Sequence, residues 1–129
     1  MKSRFALLLV LCPVVLWAEP VYLDCRVTNP DGSEPHIFSV KLDEASGQIT
    51  HTSYSSRTGQ ESEVFNSKGF FTANTISYQE TNSVVKFMTF QYEIDRTTLA
   101  AKQTVFISSK ATTPREGFCS IAKVAGRKI

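Results

Sequence analysis

Apolar and polar residues alternate with a period of two along most of this chain after its first twenty or so positions. In Val21–Thr28 the side chains of Val21, Leu23, Cys25 and Val27 share one face, while Tyr22, Asp24, Arg26 and Thr28 share the other. That is the pattern of a strand with one side in a core and one in water. His36–Asp43 repeats it with Phe38, Val40 and Leu42 in phase. Asn29-Pro30-Asp31-Gly32 between them reads as a turn, because Pro presets φ and Gly accepts a positive φ. Glu44-Ala45-Ser46-Gly47 then turns the chain into a third strand, Gln48–Tyr54, completing a hairpin signal.

Further along, the signal is more broken. Residues 55–62 are polar, contain Gly59 and read as a loop; a short strand at 63–66 and a break at Ser67-Lys68-Gly69 follow. Phe70 and Phe71 lead into a strand at 75–80, and Thr81-Asn82-Ser83 turns into the longest strand, 84–94, with Met88, Phe90, Tyr92 and Ile94 on its apolar face. Asp95-Arg96-Thr97-Thr98 reads as a self-sufficient tight turn, since the aspartate can accept a hydrogen bond from the amide two residues on. Residues 99–108 pair back with Val105 and Ile107 inside, 110–117 form a loop holding Pro114, and 118–124 make the closing strand. About eight short strands with turns between them and no helical periodicity predict an all-β antiparallel meander. A closed barrel is the first expectation and a two-sheet sandwich the alternative.

The amino terminus changes the context of that domain. Lys2 and Arg4 precede an apolar run from Phe5 to Trp17, and Ala18 supplies a small residue at its exit. A positive start, a short apolar stretch and a small exit residue are the parts of a cleavable secretory signal. The expectation is a signal peptide at 1–18 and a single β domain at 19–129. The run is too short to span a bilayer, which takes about 20 residues, and no later segment is apolar enough to be a transmembrane segment. Leu11, before Cys12, is not the small residue a lipid-anchored cysteine needs. The expected address is periplasmic or secreted.

Processing leaves Cys25 and Cys119 as the only cysteines. In an exported chain an even pair without CxxC spacing predicts one disulfide. Its geometry requires the two α-carbons to lie within roughly 7 Å, which brings the first and last predicted strands together. If those strands are neighbours the meander closes on itself; if they face each other across a core, the same bridge staples a sandwich.

Charge excludes one class of partner. Of the 14 Lys and Arg, Lys2 and Arg4 leave with the signal, so 12 basic side chains face 12 acidic ones in the mature domain. Nucleic-acid binding needs a clustered basic surface, which that balance does not provide. From Lys102 onward six basic residues stand against Glu116 alone, read as a solvated edge and tail.

Catalytic chemistry finds no support in the residue order. His36 and His51 have no second ligand at metal spacing, no serine lies in a G-x-S-x-G or Ser-x-x-Lys context, and both mature cysteines are expected to be oxidised. The same-side pairs Glu93 with Asp95 and Glu61 with Glu63 read as solvent-facing. No enzyme, metal or cofactor is expected. One inward polar set stands out: if apolar phase marks the inner face, His51, Tyr78, Tyr92 and Gln103 also point inward. Small barrels are filled by side chains or hold one ligand, so these four are candidate ligand-binding residues, or polar tips reaching the barrel mouth.

Several segments together carry a resemblance. They are Tyr22-Leu23-Asp24-Cys25, then Phe38-Ser39-Val40-Lys41-Leu42-Asp43-Glu44, then Phe71-Thr72-Ala73-Asn74-Thr75-Ile76-Ser77-Tyr78. Tyr92-Glu93-Ile94-Asp95-Arg96-Thr97-Thr98-Leu99 and Gly117-Phe118-Cys119 complete the set. The ensemble resembles small exported β-rich proteins of Gram-negative bacteria, which implies a periplasmic address and no particular activity. Taken together, the expectation is a non-enzymatic binding module for an unknown protein or envelope component. The alternative is a lipocalin-like carrier of a small ligand.

Trp17 is the chain's single tryptophan and lies inside the expected signal. The exported, processed protein should therefore show tyrosine emission alone under ultraviolet excitation, and a tryptophan band in purified mature material would contradict cleavage after Ala18.

Overall fold

The computed structural model describes residues 19–81 and 87–122. The expected signal peptide, Asn82 and Ser83 of the predicted turn, residues 84–86 of the predicted long strand and the end of the predicted closing strand lie outside the described residues. Ten strands are present among the described residues: β1 (Val21–Thr28), β2 (His36–Asp43), β3 (Gln48–Tyr54), β4 (Glu61–Lys68), β5 (Phe70–Phe71), β6 (Thr75–Thr81), β7 (Met88–Asp95), β8 (Ala100–Ile107), β9 (Lys110–Ala111) and β10 (Arg115–Ile121). They form one antiparallel sheet in the order β4-β3-β2-β1-β10-β8-β7-β6-β5, with β9 paired to β8. The sheet curls into a barrel that is nearly closed, not a two-sheet sandwich.

Closure occurs between the first strand and the last. β1 and β10 pair from Leu23↔Ile121 to Thr28↔Glu116, with Cys25 directly opposite Cys119. These two form the disulfide, joining positions 94 residues apart with their α-carbons separated by 3.9 Å. In the chain-entropy view a loop of that size can contribute about 4–5 kcal/mol, as an upper figure.

The count is ten strands where about eight were expected, because two short pieces interrupt regions read as breaks or loops. Gly69 bends the chain so that Phe70 and Phe71 leave β4 and pair with Ser77 and Ile76 of β6. A side chain at Gly69 would run into Ile49, so the bend leaves no room for one. β9 folds back on β8 through Ser108 and Ser109, both with positive φ (52° and 71°). β4 is longer than 63–66 because it pairs along the whole of β3, from Gln48↔Lys68 to Tyr54↔Glu61. The closing strand begins at Arg115 instead of 118, since Glu116 and Gly117 pair with both β1 and β8.

Alternation builds the interior as the sequence pattern requires. Leu23, Cys25 and Val27 of β1, Phe38, Val40 and Leu42 of β2, and Tyr92 and Ile94 of β7 are all buried, with Ile49, Ile76, Tyr78, Ala101 and Cys119 completing the core. Ile107 was expected inside but is 41% exposed. It pairs with Met88 and Lys110 at the tip of β8, past the last packed layer.

The barrel has two unlike ends. At one end the β2–β3 turn, the β5–β6 connection and the β7–β8 turn converge over Leu42, Ile49, Ile76 and Ile94, all within 1% of full burial. Arg96 ties them together: its guanidinium donates to both carboxylate oxygens of Glu44, at 2.7 and 3.1 Å, and to the carbonyl of Thr72 at 2.6 Å. A forked, largely desolvated pair of this kind is stronger and more directional than a surface ion pair. The turn behaves as its sequence predicts, with Thr97 and Thr98 amides donating to Asp95 Oδ1 at 2.7 and 2.9 Å. Those bonds, with Thr98 first, hold the Asp95 carboxyl below its usual range. The other end, where the β1–β2 and β3–β4 connections and the β8–β10 segment lie, carries the polar groups.

Gly117 is the tightest point of the closure. It sits opposite Val27, and a Cβ there would overlap the Arg26 carbonyl oxygen and crowd the Val27 backbone. Gly117→Ala should cost about 3 kcal/mol by forcing strand separation beside the disulfide. A urea titration should show the midpoint falling with little change in slope; an unchanged midpoint would mean the backbones do not approach this closely.

Candidate functional site

Three inward layers stack along the barrel axis. Above the aliphatic base lies an aromatic layer with His51 at its centre. Its ring stacks on Phe38 and Phe65 at centroid distances of 4.6 and 4.7 Å and tilts against Tyr92 at 4.5 Å and Tyr78 at 5.7 Å. Tyr78 and Tyr92, opposite one another on β6 and β7, stack at 4.9 Å. The rings touch each other, so the barrel is filled at this level.

The polar atoms within the layer are paired. His51 Nδ1 lies 2.7 Å from the Tyr78 hydroxyl and Nε2 lies 3.1 Å from Ser53 Oγ, so one ring nitrogen donates and the other accepts. Burial, and then the charge of His36, pull the His51 pKa down to about 3, which keeps the imidazole neutral. Burial also raises the Tyr78 and Tyr92 phenols above their usual range. None of these groups exchanges a proton near neutral pH.

The third layer is the mouth. Gln103 is 2% exposed; its amide donates to the Tyr92 hydroxyl at 3.0 Å and its carbonyl accepts from Arg115 Nη1 at 2.8 Å. Arg115 Nη2 reaches Glu34 Oε1 at 3.1 Å on the rim. A hydrogen-bonded file thus runs from Glu34 through Arg115 and Gln103 to Tyr92. His36 stacks on Phe38 at 5.2 Å, and burial followed by the nearby Arg115 charge lowers its pKa, partly offset by Glu63. Across the mouth, burial and then Glu63 of β4 raise the pKa of the Glu80 carboxyl on β6 to about 8. Beside Arg115 a recess of about 340 Å³ opens between Asn29, Gln103, Val105, Thr112 and Thr113.

His51, Tyr78, Tyr92 and Gln103 therefore all face inward and meet, directly or through one another. His51 is wholly buried in the middle of β3. Ser53 and Glu80, two positions beyond His51 and Tyr78, share their phase but were not among the expected site residues. Arg115 was hidden because its segment reads as a loop. Glu63 keeps the register of the rest of β4, opposite buried Ser53, and the shift between Ser53 and Tyr54 moves Glu61 instead, setting it opposite Tyr54. The two carboxylates consequently belong to different faces. The described residues hold no group of three potential metal ligands.

His51 makes an acid limb in the stability curve. Its folded pKa lies below the unfolded value of 6.5, so its contribution is complete above that value and is lost as pH falls toward about 3. His36 acts in the same direction. His51→Gln cannot take up a proton and should flatten the decline in urea midpoint between pH 6.5 and 4, while lowering the midpoint at pH 7 by removing ring contacts. An acid limb as steep as the wild type's would show that His51 is not the buried neutral group.

No family model, curated protein or solved structure matches the chain.

Proposed function

We propose that this chain is an exported, non-enzymatic binding module that meets a protein or envelope component with the open, polar end of its barrel. The observation carrying this reading is the filled aromatic layer: rings 4.5–4.9 Å apart occupy the space a lipocalin-like carrier would keep for its ligand. A target is then met at the rim, where side chains of both signs (Glu34, Glu63, Glu80 and Arg115) are set on a rigid frame. The disulfide supports maturation in an oxidising compartment, periplasmic or extracellular. The buried histidine and tyrosines serve structure, because each has its partner inside the barrel and its proton fixed. A carrier role keeps one foothold, the recess beside Arg115, whose volume of about 340 Å³ lies at the small end of ligand sites.

Photo-crosslinking side chains installed singly at Asp31, Arg57 and Thr113 on the rim, and at Ser46 and Thr97 on the closed end, separate these readings in living cells. A discrete adduct from rim positions only is the expected result. Adducts from the closed end alone would overturn it, and a stoichiometric small molecule in native mass spectra of the purified protein would favour the carrier.

A further inference from the structure

Arg115 opens β10 at the mouth, and its side chain is held from within. The Gln103 carbonyl accepts from Nη1 at 2.8 Å, and the Gln103 amide in turn donates to the Tyr92 hydroxyl at 3.0 Å. Both anchors are 2% exposed, which ties the guanidinium to the barrel frame.

A guanidinium presents its donors in a planar fork that matches the two oxygens of a carboxylate. Gln103 takes Nη1 and leaves the edge made by Nε–H and Nη2–H. That edge is half used. Nη2 donates to Glu34 Oε1 at 3.1 Å, whereas Nε is buried with no acceptor among the described residues. Arg96 differs at each point: it engages both oxygens of Glu44, and the two side chains are each 9% exposed. Glu34 is 69% exposed and stands in the β1–β2 connection with a φ of 49°, a left-handed conformation that costs a residue with a side chain. An exposed, single-point ion pair contributes little and is easily exchanged. Buried donors are nearly always matched in folded proteins, so an unmatched Nε–H beside a replaceable carboxylate marks an incomplete fork.

Space for a better-placed group lies alongside. The recess of about 340 Å³ is bounded by Arg115 and Gln103, by Asn29 at the start of the β1–β2 connection, and by Val105, Thr112 and Thr113. We propose that the free edge of Arg115 is a carboxylate-binding site for an acidic side chain of a protein partner, with Glu34 as the internal stand-in that the incoming group displaces. The inference deepens the docking role of the mouth and rests on it for the source of the carboxylate. A protein side chain is the favoured occupant because the group now seated there is one, and an aspartate or glutamate of a partner repeats its chemistry. Glu34 lies on the same edge as Nε, so its departure opens Nε to an acceptor. A carboxylate seated side-on then accepts from Nε and Nη2 together. Nearby charges permit this. His36 is neutral at pH 7, since burial and then the Arg115 charge lower its pKa. Glu80 is largely protonated there, its pKa being raised to about 8, first of all by burial.

Acetate, the head group of both acidic side chains, is the probe. In the purified protein at pH 7 the Arg115 Nε–H resonance should shift saturably as sodium acetate replaces sodium chloride at constant ionic strength. Glu34→Gln, which removes the competing charge, should lower the midpoint at least about threefold, the factor set by an exposed ion pair. No saturation in Glu34→Gln, or equal midpoints in the two proteins, would overturn the site. In cells, the adduct from a crosslinking side chain at Arg57 should grow in Glu34→Gln and shrink in Arg115→Lys, whose ammonium keeps the charge without the fork. Rim adducts that ignore both changes would sink the site and spare the docking role. Acetate binding without rim adducts would overturn the partner as the source and leave a small free carboxylate in its place.

Discussion

The pairing of β1 with β10 is the constraint on which the rest of the molecule depends. A meander of short strands has two exposed edges, and each presents a row of unpaired N–H and C=O groups. Joining the first strand to the last removes two of those edges at once and creates an inside. The contact is the most distant in sequence that the fold makes, so its entropic cost is the largest of any pairing. The Cys25–Cys119 bond removes much of that cost from the folding equilibrium by holding the same two strands together in the unfolded chain. Gly117 makes the approach sterically possible one turn of the pleat away. Cysteine and glycine act on the same junction, one by tethering it and the other by leaving space.

Once an inside exists, strand alternation decides what enters it, and the barrel accepts polar groups only where partners meet them. His51 tolerates full burial because both ring nitrogens are matched and its faces lie between aromatic rings. A buried polar atom left unmatched costs about 1–3 kcal/mol, so this arrangement is stable only as a set. The same holds for Gln103, placed between a tyrosine hydroxyl and a guanidinium. The gradient from aliphatic base to ionisable mouth follows from this rule. Charges that find a forked partner, as Arg96 finds Glu44, can sit over the base; charges with looser partners are confined to the rim where water reaches them.

Much of this was legible in the residue order, and for identifiable reasons. Period-two phase is a local property, so Leu23, Phe38, Val40 and Tyr92 could be assigned inward without knowledge of their neighbours. The same phase carried His51, Tyr78 and Gln103 inside, although their chemistry suggested solvent. Two cysteines, Cys25 and Cys119, announced which strands meet. What stayed hidden depends on register or on tertiary contact. Gly117 reads as a loop residue until β1 is laid beside it, since alternation cannot distinguish a missing side chain from a turn. The bulge at Ser53 and Tyr54 moves Glu61 out of phase with Glu63 without any signature of its own. Arg96 with Glu44 and Ser67 with Gln79 are pairs between distant segments, and one sequence offers no means of matching them.

Placing the covalent bond on one side of a ring has a mechanical consequence for the opposite side. Twist and strand tilt accumulate around a barrel, and any mismatch left after the eight pairings of the sheet order collects where no ladder fixes the register. Here that place is β4 against β6, where side chains do the joining. Side-chain contacts between partly exposed groups are weaker than a backbone ladder, so opening should be cheapest there. The disulfide cannot protect the seam directly, because it lies across the barrel. By fixing the far wall, however, it ensures that loosening at β4 and β6 changes the width of one gap and does not unravel the sheet, which is the condition for a reversible local opening in so small a domain.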